Sequence, residues 1–280
     1  MHAARRACMF AAGLALALVG PTAVSAPAES RLVAHYRISA AGIAIGTSAI
    51  EAVIGDSAYT MGASGRTSGV LRILVSGEGT VTSRGTVVDG ALVPARFTSR
   101  TTDEDERAAV TMTLEGGNVK DLTAETTAPG EARVPLTAEH RRGVVDPLTA
   151  LFLTAAEHDS VDAEACRRTL PVFDGRRRYD LALAFKRLET VRAAGYAGPA
   201  VVCAVAFRAI AGHRADSRLV NYLADGRDIE LTLAPVAGTR LLAPFRLSIT
   251  SMLGDMVIVA TTFETRGESD ANKGSSALRP

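Results

Sequence analysis

The chain has no tryptophan and only 5% aromatic residues, so its interior must be lined mainly by Val, Leu, Ile and Ala. Such a lining suits acyl chains and an ordinary packed core alike. A surplus of charge is also missing: 31 basic residues face 30 acidic ones. A nucleic-acid binder would carry a basic excess, so that class is set aside. Cysteine is scarce, with three residues in all and no C-x-x-C pair, which argues against a redox enzyme. H-E-x-x-H, G-x-S-x-G, a P-loop and G-x-G-x-x-G are all absent. His35, His140, His158 and His213 lie far apart without paired-ligand spacing. No metal, no cofactor and no catalytic residue is therefore expected.

Long apolar runs are confined to the N-terminus, where Arg5 and Arg6 precede a greasy stretch from Ala7 to Val19 and then small residues. That is the layout of a secretory leader, too short to span a bilayer core of ~30 Å. Cleavage fits after Ala26 or after Ala28, and Pro27 favours the second, giving a leader of residues 1–28. Its loss leaves 29 basic against 30 acidic residues. The mature chain is expected to be periplasmic and not membrane-spanning. Cys8 leaves with the leader, so Cys166 and Cys203 remain as an even pair. In an oxidising compartment one disulfide between them is the leading reading.

Most of the chain after residue 28 alternates with period 2. Tyr179, Leu181, Leu183 and Phe185 share one face of a strand, as do Val201, Cys203, Val205 and Phe207, then Ile229, Leu231 and Leu233, then Phe245, Leu247 and Ile249. Asp89-Gly90, Gly116-Gly117, Asp174-Gly175, Asp225-Gly226 and Gly254-Asp255 read as turns between strands. The fold class is mainly β: a curved or spiral antiparallel sheet, open and barrel-like. One segment departs from the pattern. Asp146 as a cap, Pro147, and Leu148, Leu151, Phe152 and Ala155 at helical spacing predict a short helix over 147–157. The sheet is expected to wrap around it. A single domain over 29–266 and a polar, disordered tail over 267–280 complete the plan.

Two charged runs stand out. Asp103, Glu104, Asp105 and Glu106 have neither the spacing nor the glycine of a calcium loop and read as a solvated hairpin tip. Arg141, Arg142, Arg167, Arg168, Arg176, Arg177 and Arg178 would form a cationic binding rim if the turn and disulfide brought them together. Nearby Asp146, Asp159, Asp162, Glu164, Asp174 and Asp180 could equally neutralise them, leaving an ordinary solvated surface.

The pieces YRISAAGIAIGTSAI, VVDPLTALF and C….FDGRRRYDL, in that order after a leader, resemble an uncharacterised family of Gram-negative periplasmic proteins, the domain of unknown function numbered 3108. Tyr36, Gly42, Gly46, Asp146, Pro147, Phe173, Asp174, Gly175, Arg176, Tyr179 and Asp180 carry the likeness. The resemblance implies an exported, β-rich protein without an assigned activity. In plan the chain is also similar to curved-sheet periplasmic proteins that wrap strands around a helix, some of which carry lipid-modified proteins or support envelope integrity. The function expected is that of a non-catalytic cell-envelope protein binding a lipid, lipoprotein or protein partner. A purely structural scaffolding module is the alternative, and an envelope hydrolase ranks last.

Overall fold

The structure is a computed structural model that describes residues 29–67, 77–103, 107–127, 132–224, 228–250 and 254–267. The expected leader, residues Glu104 to Glu106 of the acidic run, the Asp225-Gly226 turn and the expected tail beyond Gly267 lie outside them.

The chain first lays down seven strands in meander order. These are β1 (Glu29–Ala40), β2 (Ile43–Gly55), β3 (Ala58–Thr67), β4 (Gly77–Val88), β5 (Ala91–Asp103), β6 (Arg107–Glu115) and β7 (Asn118–Thr126). A crossing segment comes next, carrying the two-residue β8 (Leu153–Thr154). The second wing holds β9 (Arg168–Phe173), β10 (Arg178–Ala193), β11 (Tyr196–Ala211), β12 (Ile229–Pro235), β13 (Leu241–Ile249) and β14 (Met256–Arg266). A helix, α1 (Arg218–Ala224), lies between β11 and β12.

All fourteen strands belong to one sheet, in the order β7-β6-β5-β4-β3-β2-β1-β14-β13-β12-β11-β10-β9, with β8 attached to β13. The first and last strands therefore meet in the middle, β1 against β14, antiparallel. The first wing runs outward to β7, and the second starts at the far edge and runs back inward. A chain with this order has to cross from one sheet edge to the other, and the crossing segment is the stretch that does so. The mainly antiparallel, unclosed sheet expected from the sequence is what the chain forms.

Alternation explains the individual strands. In β1, Ser30, Leu32, Ala34 and Tyr36 are buried while Arg31, His35 and Arg37 are exposed. The Asp89-Gly90 and Gly116-Gly117 links have positive φ at both residues, which gives the twist a two-residue hairpin needs. Ala41-Gly42 turns β1 into β2 in the same way, although alanine carries no such signal in sequence.

Three clusters of buried residues make the core. One gathers the inner faces of β1 to β3 with β13 and β14, a second lies over β10 to β13, and a third lies under β5 to β7. The crossing segment enters all three: Val144 joins the third, Leu148 and Phe152 the first, Leu153 and Ala155 the second.

The predicted helix over 147–157 is not formed. Only Thr149–Leu151 make a 3-10 turn, closed by Leu151 N–H donating to Leu148 O and Phe152 N–H to Thr149 O. Beyond it, Leu153 and Thr154 pair with Leu242 and Leu241 of β13, and Ala155 N–H donates to Arg240 O. An extended segment spans more distance per residue than a helix, and this stretch must reach from one cluster to the next. The sheet wraps around a peptide rather than a helix.

Bulges correct two face assignments. Phe245 has no partner opposite, because Thr232 pairs Arg246 while Leu233 pairs Pro244. The extra residue reverses the side of everything after it, so Phe245 lies in the first cluster and Leu247 and Ile249 pack on the second. In β10 the register slips between Phe185 and Arg187, and Phe185 ends up exposed at the margin of its face. Pro244 stands beside the first bulge, but no glycine or proline marks the second.

Candidate functional site

The seam between the two sheet edges is where most of the sequence-singled residues meet. Val144 N–H donates to Gly117 O at the β6–β7 turn, Val145 N–H donates to Pro171 O, and Phe173 N–H returns to Val145 O. The crossing segment thus tethers the first wing to β9 through backbone hydrogen bonds. Asp174 Oδ1 accepts the N–H groups of Arg176 and Arg177, turning β9 into β10. Gly175, at φ 92°, presses against the first wing so closely that a Cβ there would overlap Val110. Phe173 is fully buried in the third cluster, and Tyr179 packs on Phe207 with ring centroids 5.4 Å apart. Asp180 pairs with both Arg178 and Arg208 at 2.6 Å. Burial alone would raise its carboxyl, but the two guanidinium partners outweigh that and hold it below the usual range.

Beneath the seam Asp146 is completely buried. Its Oδ1 accepts Leu148 N–H and Thr149 N–H, and its Oδ2 accepts the hydroxyls of Ser83 at 2.9 Å and Thr149 at 2.6 Å. Tyr59 OH completes the group, 2.9 Å from Thr149 Oγ1 and 3.2 Å from Ser83 Oγ. Burial pushes the Asp146 carboxyl upward against the pull of these donors, and pushes the Tyr59 phenol up to about 12. Serine, threonine and aspartate together have the composition of a hydrolytic site. Here the hydroxyls are spent on the carboxylate and the cluster is closed off, so it pins β3 and β4 to the crossing segment. Tyr36 does a similar job, its OH donating to Pro244 O at 2.6 Å across the first cluster. Gly42 holds the β1–β2 turn, and a Cβ on Gly46 would stand 2.8 Å from Arg66 O of the neighbouring strand.

Cys166 and Cys203 are bonded, with Cα atoms 5.4 Å apart. The bridge ties the 3-10 turn Glu164–Cys166 to the centre of β11, inside the second cluster.

The arginines expected to form a rim fall into separate groups. Arg168 and Phe173 are the two ends of β9, so Arg167 and Arg168 stand roughly 17 Å from the Arg176–Arg178 turn. Arg167 pairs with Glu164 at 2.6 Å, Arg142 with Glu139 at 2.9 Å and Arg178 with Asp180, while Arg168 donates to Thr154 O. Local acids thus take up the charge of Arg142, Arg167 and Arg178, as the neighbouring carboxylates in the sequence allowed.

A different group of cations makes no ion pair among the described residues, although Glu78 is the ladder partner of Arg66. Arg37, Arg66, Arg84, Arg96 and Arg100 all project from the outer face of β1 to β5, and among the described residues none of them makes an ion pair. Arg84 even stands directly opposite Arg96 across the β4–β5 ladder. On this face a groove of about 670 Å³ crosses β1 to β5, with His35, Ser64, Arg66, Glu78, Thr80 and Arg100 in its lining. Sequence reasoning passed over it because its residues come from five strands. The one available signal was the run of Thr, Ser and Arg at alternate positions, which reads as ordinary solvated surface. Among the described residues no three His, Cys, Asp or Glu side chains gather as metal ligands, and no helix is long and apolar enough to cross a membrane.

Fold and seam together define a β-rich protein whose single curled sheet closes over its own connecting segment. The chain belongs to the family described as protein of unknown function DUF3108, whose model matches residues 35–261. A solved structure, a β-barrel-like protein of domain of unknown function DUF1849 from Brucella abortus, is similar at 11% identity and a TM-score of 0.45, covering 86% of this chain and 98% of that one. No curated protein matches the chain.

Proposed function

We propose that this is an exported, periplasmic, non-catalytic protein of the cell envelope that holds a partner on its outer surface, the partner being a lipid headgroup, a lipoprotein or an envelope protein. The observation that carries this reading is a contrast between inside and outside. Leu148, Phe152, Leu153 and Ala155 of the crossing segment fill the concave side of the sheet, whereas an open groove bearing hydroxyls and arginines that have no ion-pair partner among the described residues lies on the outer face. The disulfide favours an oxidising compartment. Cleavage after Ala28 is the processing this reading expects. Intact mass of the exported protein should therefore start at Glu29, and a species retaining residues 1–28 would contradict export with processing.

The scaffolding alternative has its own observation. β9 pairs with β10 only from Arg178 to Leu183, so Ala184–Ala193 has no strand on its outer side among the described residues, and Phe185 and Leu188 are exposed there. An unpaired edge is a template for an incoming strand. One experiment separates the two: a photo-crosslinking residue placed at Ser64 in the groove or at Leu188 on the edge, activated in cells. A reproducible adduct at Ser64 supports the groove and one at Leu188 supports the edge. Absence of adducts at both positions would contradict a binding function.

A further inference from the structure

We infer that the outer groove of β1 to β5 is a site for an anionic saccharide, a glycan segment carrying carboxylate or phosphate groups, whether free or as the headgroup of a glycolipid. The inference rests on the proposal that this surface holds a partner, and it names the ligand class.

Geometry supplies the first reason. Ladder register places Arg66, Glu78 and Thr102 in one row across β3, β4 and β5, and Ser64, Thr80 and Arg100 in the next row on the same face. Strands are spaced by ~4.8 Å and same-face rows by ~7 Å, so the Cα atoms of Arg66 and Arg100 lie about 12 Å apart. Between and beside them stand one carboxylate and three hydroxyls. Two guanidinium forks can each take a carboxylate or phosphate in bidentate fashion, while Glu78 can only accept and Ser64 and Thr80 can do both. A ligand that satisfies all of them needs separated anionic groups and hydroxyl donors between them, which is the chemistry of an acidic sugar chain.

Charge pairing supplies the second. In the other wing Arg167, Arg178, Arg187 and Arg208 all have a carboxylate within ion-pair distance. Among the described residues Arg66 and Arg100 have none, and neither has Glu78 a cation, although it is the ladder partner of Arg66. Composition supplies the third. Without tryptophan, and with Tyr36 buried and committed to Pro244 O, the groove offers only the small His35 imidazole and no exposed Trp, Tyr or Phe ring on which a neutral sugar could stack. Affinity must come from charge and hydrogen bonds. The volume falls within the ~300 to 1,000 Å³ range of small-molecule sites.

The test is calorimetric titration of the purified mature protein with a hexamer of galacturonic acid, using neutral maltohexaose as control. The acidic hexamer should bind and the neutral one should not. R66A/R100A should weaken binding by about tenfold or more, and R84A/R96A, which removes the same charge from the same face outside the groove, by no more than about twofold. E78A should weaken it by about threefold although it removes a negative charge, because the hydroxyl acceptor goes with it. Circular dichroism should show all variants folded, since these side chains are exposed. Tighter binding by E78A would reduce the groove to a plain anion patch and overturn the saccharide assignment, as would equal losses from both arginine pairs. Binding to phosphatidylglycerol vesicles without binding to the hexamer would also overturn it. A Ser64 crosslink in cells alongside a silent titration would sink only the saccharide class and leave the surface-binding proposal standing.

Discussion

Gly175 shows how much a single position can decide. Its φ of 92° is open to glycine and strained for other residues, and Val110 occupies the space a Cβ would need. G175A should destabilise the protein by about 2 to 4 kcal/mol, combining backbone strain with overpacking at the seam. Adding V110A should recover the steric part and leave the torsional part, a non-additive pair measurable by urea titration. Asp146 makes the complementary point. D146A would leave two backbone N–H groups and two hydroxyls without their acceptor, at a cost of about 3 kcal/mol or more. D146N should cost distinctly less, since the amide oxygen keeps the backbone bonds and the hydroxyls can turn to accept. The pH dependence of Asp146 has a definite sign. A carboxyl raised in the folded state binds its proton more tightly there, so its contribution falls as pH rises from 3.8 through the folded value. D146N should remove that component. Equal losses from both substitutions would refute the capping role.

At the scale of elements, the alternation of β11 and β12 was legible from the large apolar side chains of one face, although Ala200, Val202, Thr232 and Ala234 of the opposite face are buried as well. Bulges were not, since a bulge is fixed by how two strands settle against different clusters and neither strand encodes it alone. The same applies to the crossing segment. Asp146, Pro147 and the apolar spacing are genuine helix-start features, and the first turn does form. What ends it is the β13 edge at Leu241 and Leu242, 87 or more positions away in sequence. α1 was missed because its seven residues are too few to show a clear stripe. The motif residues from Phe173 to Asp180 were visible as a turn, but their purpose at the seam depends on Val110 and Leu122 of the other wing. Across β10 to β12, Arg187 and Lys186 grip Glu230 and lower its carboxyl from 4.5 to about 2. A depressed carboxyl contributes stability that is present above pH 4.5 and lost as pH falls toward about 2. E230Q should flatten the acid limb of a stability profile in that window, and an unchanged limb would show the pairs to be too well solvated to matter.

For the whole molecule, the disulfide closes a loop of 37 positions between the crossing region and β11. Reduction, or C166A/C203A, should lower stability by ~3 to 4 kcal/mol in the chain-entropy model and Tm by roughly 10 °C. The candidate site was hidden from sequence for a reason of this scale: Arg66 and Arg100 become neighbours only when β3, β4 and β5 align, and their lack of counter-ions is a property of the assembled face. The interior is the opposite case. There one connecting peptide reaches all three core clusters, and that filling is why the proposed binding is placed on the outer surface. Hydrogen–deuterium exchange of the intact protein tests this most directly. The amides of Val144, Val145, Ala150 and Phe152, together with Phe173, should exchange as slowly as the β1–β14 ladder, opening only when the whole fold opens. Fast exchange across residues 144–152 beside a protected sheet would make that peptide a peripheral loop and would contradict the account.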